Sequence, residues 1–130
     1  MRKTWIMAGL ASLGLAAVAG PSTARPLKPE QEARIKPVGK PASCIPLAQI
    51  DSTRVRDNQT IDFYMRGRTV YRNRLPHQCP QLGFEERFSY KTSLSQLCST
   101  DIITVLTSPG ISTGASCGLG QFQKIAGAPR

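Results

Sequence analysis

Four cysteines constrain this chain more than any other feature. Cys44, Cys79, Cys98 and Cys117 are even in number and follow an N-terminal segment patterned for export. In an oxidising compartment they read as two disulfides. Their spacings of 35, 19 and 19 residues contain no Cys-x-x-Cys, which argues against a zinc site and against thiol–disulfide exchange catalysis. Four cysteines permit three pairings. The expected one is Cys79–Cys98 with Cys44–Cys117, because each bond then joins the flanks of neighbouring predicted strands. On the loop-entropy model such closures contribute roughly 3 and 4 kcal/mol. The domain needs them, since roughly 80 residues bury only a modest core.

The export reading comes from the first 24 residues. Arg2 and Lys3 give a positive start, Trp5 to Ala19 carries no charge, and Ala17-Val18-Ala19 and Ser22-Thr23-Ala24 offer small residues at cleavable spacing. The stretch is too rich in Gly, Ala and Ser for a membrane anchor, which wants roughly 20 strongly apolar residues. Residues 1–24 are therefore expected to be a cleavable signal helix, and the location periplasmic or secreted. Losing Arg2 and Lys3 lowers the formal charge from +9 to +7, with 15 basic residues against 8 acidic ones. The mature chain is basic, mainly through arginine.

Residues 25–43 read as a disordered, Pro-rich tether. Pro26, Pro29, Pro37 and Pro41 interrupt any long helix, and charges outnumber apolar residues. The folded domain is expected over 44–125, with 126–130 as a tail. Ile50 to Val55 is a predicted strand, Asp57-Asn58 a turn, and Thr60 to Met65 alternates polar with apolar residues as a half-buried strand does. Gly67 suits a bulged hairpin turn, and Thr69 to Leu75 returns. That turn makes residues with an even number sum face each other. Ile61 and Phe63 then share one face with Tyr71, and Asp62 and Tyr64 share the other with Arg68, Arg72 and Arg74. Leu75 to Gly83 and Ser108 to Ser116 read as loops. Arg87 to Lys91, Asp101 to Leu106 and Cys117 to Ile125 read as strands, the middle one central to its sheet. The expected class is mainly β, an antiparallel barrel or roll of about six short strands.

This pattern resembles a family of small exported proteins of Gram-negative bacteria, known mainly as a domain of unknown function. The matching pieces are Cys44-Ile45-Pro46-Leu47, Asp57 with Thr60-Ile61, Tyr71-Arg72-Asn73-Arg74-Leu75 and Cys79-Pro80. They continue through Leu97-Cys98, Asp101-Ile102-Ile103-Thr104-Val105 and Cys117-Gly118-Leu119-Gly120-Gln121-Phe122. The resemblance implies an envelope or secreted location and carries no functional residue with it.

Catalytic chemistry has one weak candidate. His77 is the sole histidine, and a loop histidine can act as a general base, with Asp101 and Ser93 as conceivable partners. No serine here sits in a nucleophile elbow. Asp57, Asp62 and Asp101 are separate in sequence, and each has a structural use. No metal or cofactor is expected; Gly118-x-Gly120 does not open a helix, so it is no phosphate cradle. The arginines stand out. Arg54, Arg56, Arg66, Arg68, Arg72 and Arg74 crowd the first three strands with Tyr64 among them, and guanidinium forks suit carboxylate or phosphate. The expected function is a non-enzymatic binding module for an anionic envelope polymer or an acidic protein. Nucleic acid is a poor match, because stacking aromatics are few. The alternatives are a protein-directed inhibitor or chaperone-like partner, and a small hydrolase using His77.

Overall fold

A computed structural model describes residues 26–92, 94–107 and 112–129. The predicted signal segment lies outside them, as do positions 108–111 of the predicted second loop. At the centre of the fold, β3 (Ile50–Val55), β4 (Thr60–Met65) and β5 (Val70–Arg74) run antiparallel. Asp57 Oδ1 accepts from the Gln59 N–H at 2.8 Å and shapes the first turn. Arg66-Gly67-Arg68 make the second, closed by Met65 N–H to Thr69 C=O at 2.9 Å. Gly67 has φ +87°, a left-handed backbone that a Cβ would strain. Three turn residues give the even-sum register: Asp62 faces Arg72 and Phe63 faces Tyr71.

Among the described residues there are seven further strands: β1 (Lys36–Pro37), β2 (Cys44–Pro46), β6 (Phe88–Tyr90), β7 (Gln96–Cys98), β8 (Ile102–Thr107), β9 (Ser112–Gly118) and β10 (Phe122–Ala126). They build a five-stranded sheet ordered β1-β10-β5-β4-β3, a three-stranded sheet ordered β6-β8-β9 and a β2-β7 ribbon. Ile61 and Phe63, Phe122, Ile103, Val105, Ile45 and Leu97 meet in one apolar cluster between them. Phe63 is its hub, edge-on to Phe122 and Phe88 at 5.4 and 6.4 Å between ring centres.

The fold is mainly β and antiparallel, but the expected barrel does not close. β3 and β6 are both sheet edges, and no described backbone hydrogen bond joins them. A groove of 480 Å³ separates them, lined by Leu47, Ile50, Phe88, Tyr90 and Leu106 among others. β6 has three residues against the six of β3, too few to seal that seam.

Four further expectations need correction. The disulfides are Cys44–Cys98 and Cys79–Cys117. Cys44 lies directly opposite Cys98 across β2 and β7, with Cα atoms 4.0 Å apart, and strands of three residues are too short to read by alternation. The predicted loop Leu75 to Gly83 runs into a short helix, α2 (Leu82–Glu85), which buries Leu82 in the core. Residues 112–116 belong to β9, held by pairing with β8 although their sequence shows no run of large apolar residues. The chain then turns before β10, so Cys117 to Ile125 is not one strand. Gly120 sits in that turn because a Cβ there would lie 2.1 Å from the Arg74 carbonyl.

The predicted tether is part of the domain. A short helix, α1 (Pro29–Ala33), leads into β1, whose Lys36 and Pro37 pair with Ala126 and Ile125. Val38 N–H reaches Lys124 C=O at 2.8 Å, and Ala42 exchanges two 2.8 Å backbone bonds with Phe122. β10 otherwise lacks a neighbour on that side. Proline is tolerated there because an edge strand has ladder groups to spare. Ile35 and Ala128, one from each end of the chain, pack on Tyr64, Val70 and Ile125. Among the described residues no helix is long and apolar enough to cross a membrane.

Candidate functional site

The outer face of the five-stranded sheet carries the arginines, and register explains how they meet. Arg54, Asp62, Arg72 and Gln123 form one cross-strand row, and Ser52, Tyr64, Val70 and Ile125 form the next. The chain ends cover this face, so every residue of β4 is buried and Asp62 is 0% exposed. A carboxylate so placed demands partners.

Asp62 has them. Arg72 donates through Nε to Oδ1 at 2.7 Å and through Nη2 to Oδ2 at 3.0 Å, a bidentate fork. Arg56 Nε donates to Oδ2 at 2.9 Å. Arg56 Nη2 also donates to the Tyr64 hydroxyl at 2.8 Å, and that hydroxyl donates to the Pro129 carbonyl at 2.6 Å. Arg72 Nη1 donates to Glu32 on α1. The two guanidinium groups thus each meet a carboxylate, and among the described residues no buried side-chain nitrogen or oxygen lacks a partner. Burial alone would lower the Arg72 pKa; its hydrogen bonds and the charges of Asp62 and Glu32 reverse this and raise it above the ordinary value. With both Asp62 oxygens engaged by cations, this cluster offers no general base. Its chemistry is adhesive: it holds α1 and the end of the chain onto the sheet.

The seven predicted anion-site residues therefore divide. Arg56, Arg72 and Tyr64 belong to this network. Arg54, Arg66, Arg68 and Arg74 are exposed, with no side-chain hydrogen bond or salt bridge among the described residues. Arg54 borders a 490 Å³ groove with Gln31, Asp51, Ser52, Tyr64 and Pro129. Arg74 borders a 280 Å³ groove with Glu32, Asp57, Thr60 and Arg72. Glu32 and Pro129 are the participants that sequence reasoning missed. One stood in the predicted tether and the other in the predicted tail, and no alternation or turn signal ties either to β4.

Of the hydrolase candidate, His77 and Asp101 lie among the described residues. His77 is exposed in a 250 Å³ groove beside Pro80, Ser116 and Gly118. Ser116 Oγ lies 3.1 Å from Thr104 Oγ1. Asp101 accepts from the Cys98 N–H at 2.7 Å. No described hydrogen bond joins His77 to either, and Ser93 lies outside the described residues. Among the described residues no group of three or more His, Cys, Asp or Glu is placed to hold a metal ion. No family model, curated protein or solved structure matches this chain.

Proposed function

We propose that this chain is an exported, non-catalytic binding module that engages an anionic partner at the cell envelope, an acidic polymer or an acidic protein, through its exposed arginines. The observation that carries this reading is the division of the arginines. Arg56 and Arg72 are neutralised by acids of the same fold, whereas Arg54, Arg66, Arg68 and Arg74 are exposed and lack an acidic partner among the described residues. Two disulfides suit an oxidising, non-cytoplasmic compartment. The formal charge of +7 that remains once residues 1–24 are removed favours encounter with anions.

Retention of the folded protein on a lipopolysaccharide-rich envelope fraction tests this, read as a function of salt. The double variant Arg54→Glu, Arg66→Glu leaves the buried network intact and is expected to lose retention, and wild-type retention is expected to fall as salt rises. Unchanged retention in the double variant would sink the proposal. Pull-down from periplasm at low and high salt distinguishes a single acidic protein from a polymer.

A further inference from the structure

Two strand edges face each other across the open seam. β3 ends the five-stranded sheet and β6 ends the three-stranded one. In an antiparallel pair, residues bonded to the neighbour alternate with residues whose backbone N–H and C=O point away from it. The Arg56 N–H reaches the Thr60 C=O at 2.9 Å. Arg56 and Arg54 therefore spend their backbone groups on β4, and Thr53 between them turns its own outward. On the other wall, the Leu106 N–H reaches the Arg87 C=O at 3.0 Å. By the same count, the backbone groups of Phe88 and Tyr90 point away from β8. No described hydrogen bond meets the outward groups of these three residues.

The seam holds the 480 Å³ groove, and a second groove of 180 Å³ continues it along β3 between Thr53, Val55 and Glu86. Its floor is the rim of the core: Leu47, Ile50, Phe88 and Tyr90 pack against the apolar cluster yet stay half-buried. Asp51 and Glu86 border the wide part, and neither carboxylate has a side-chain partner among the described residues. The guanidinium there, that of Arg87, is already engaged, 3.9 Å from the Glu85 carboxylate. Arg54 stands in the narrow continuation. The wide part thus offers two unanswered negative charges above an apolar floor.

We infer that the seam between β3 and β6 is a strand-addition site, and that its occupant is an extended segment of a partner protein carrying a basic residue between apolar ones. An extended backbone presents donors and acceptors along both of its sides. It can therefore bond to Thr53 on one wall and to Phe88 and Tyr90 on the other. Its side chains alternate in direction. One set covers the floor of Leu47, Ile50, Phe88, Tyr90 and Leu106, and a lysine or arginine in the other set meets Asp51 and Glu86. The added strand supplies the pairing that the three residues of β6 cannot give to β3. This site is distinct from the exposed arginines and takes a ligand of the opposite charge.

The probe is an end-blocked heptapeptide of alternating valine and threonine with a central lysine, titrated into the full mature chain by calorimetry. Saturable binding is expected. Methylating the backbone nitrogens of the peptide removes its donors and should weaken binding by more than roughly tenfold, since one lost hydrogen bond approaches that factor. Glutamate in place of the central lysine should weaken it roughly tenfold as well, the scale of one charged contact. In the protein, Asp51→Asn with Glu86→Gln should erase the difference between the lysine and glutamate peptides at unchanged melting temperature. No binding at millimolar peptide overturns the inference. Equal affinity for the methylated and unmethylated peptides also overturns it, since the apolar floor alone would then hold them. A lysine preference that survives Asp51→Asn with Glu86→Gln places binding elsewhere and does the same. Concentration-dependent dimerisation that excludes the peptide would give the seam to a second copy of this chain and overturn the partner strand.

Discussion

The two faces of β4 are both closed to water, yet by opposite means. Inward, Ile61 and Phe63 enter an apolar cluster supplied by other strands. Outward, Asp62 and Tyr64 enter a net of guanidinium, carboxylate and hydroxyl groups roofed by the two ends of the chain. The inner face draws its stability from area and fit, which tolerate similar shapes. The outer face consists of charges that are safe only together. Removing one partner there strands another, while removing all of them need cost little.

That contrast can be broken by substitution, and the largest effects come first. Phe63→Ala on the inner face and Asp62→Ala on the outer one should each cost about 3–5 kcal/mol in urea denaturation, by cavity formation and by unpaired buried cations respectively. Their rescue separates them. Adding Arg56→Met and Arg72→Met to Asp62→Leu is expected to recover most of the loss, because the burial of charge disappears with the charges. No surface change should recover Phe63→Ala. A next step down, Tyr64→Phe removes the hydroxyl between Arg56 and Pro129 and should cost about 1–2 kcal/mol, with faster amide exchange around Ala128.

Glu32→Gln should cost less than about 1 kcal/mol, since its carboxylate is half in water; the same melting curve at low and high salt measures it. The smallest expected effect is that of alkali on Arg72. Its pKa is raised in the fold, so its stabilising contribution is complete below the unfolded value and is lost only as pH climbs past the folded one. Both lie above the ordinary working range, so titration of Arg72 should leave the melting temperature flat between neutrality and mild alkali.

The hairpin was legible in the residues because its signals are local. Asp57, the alternation of Thr60 to Met65 and Gly67 fix turn and register together, and the pairing of Asp62 with an arginine follows from them. What escaped is long-range. Cys98 pairs with Cys44 because β2 and β7 lie side by side, yet neither strand has enough residues to show a period. Proline and charge in residues 25–43 do describe a segment that is helical for barely one turn. They say nothing of an exposed β10 edge waiting for β1, and nothing of the Arg72 guanidinium that Glu32 meets. Local composition predicts what a segment can do alone, and these two ends are ordered by what they touch.

β10 is made late, yet it lies between β5 and β1, both of which are made far earlier. The earliest strand therefore has no place to dock until nearly all the polypeptide exists. A nascent chain halted before residue 122 would hold a hairpin with a bare flank and a carboxylate still short of its roof. Such a chain locks shut only once its final stretch has followed.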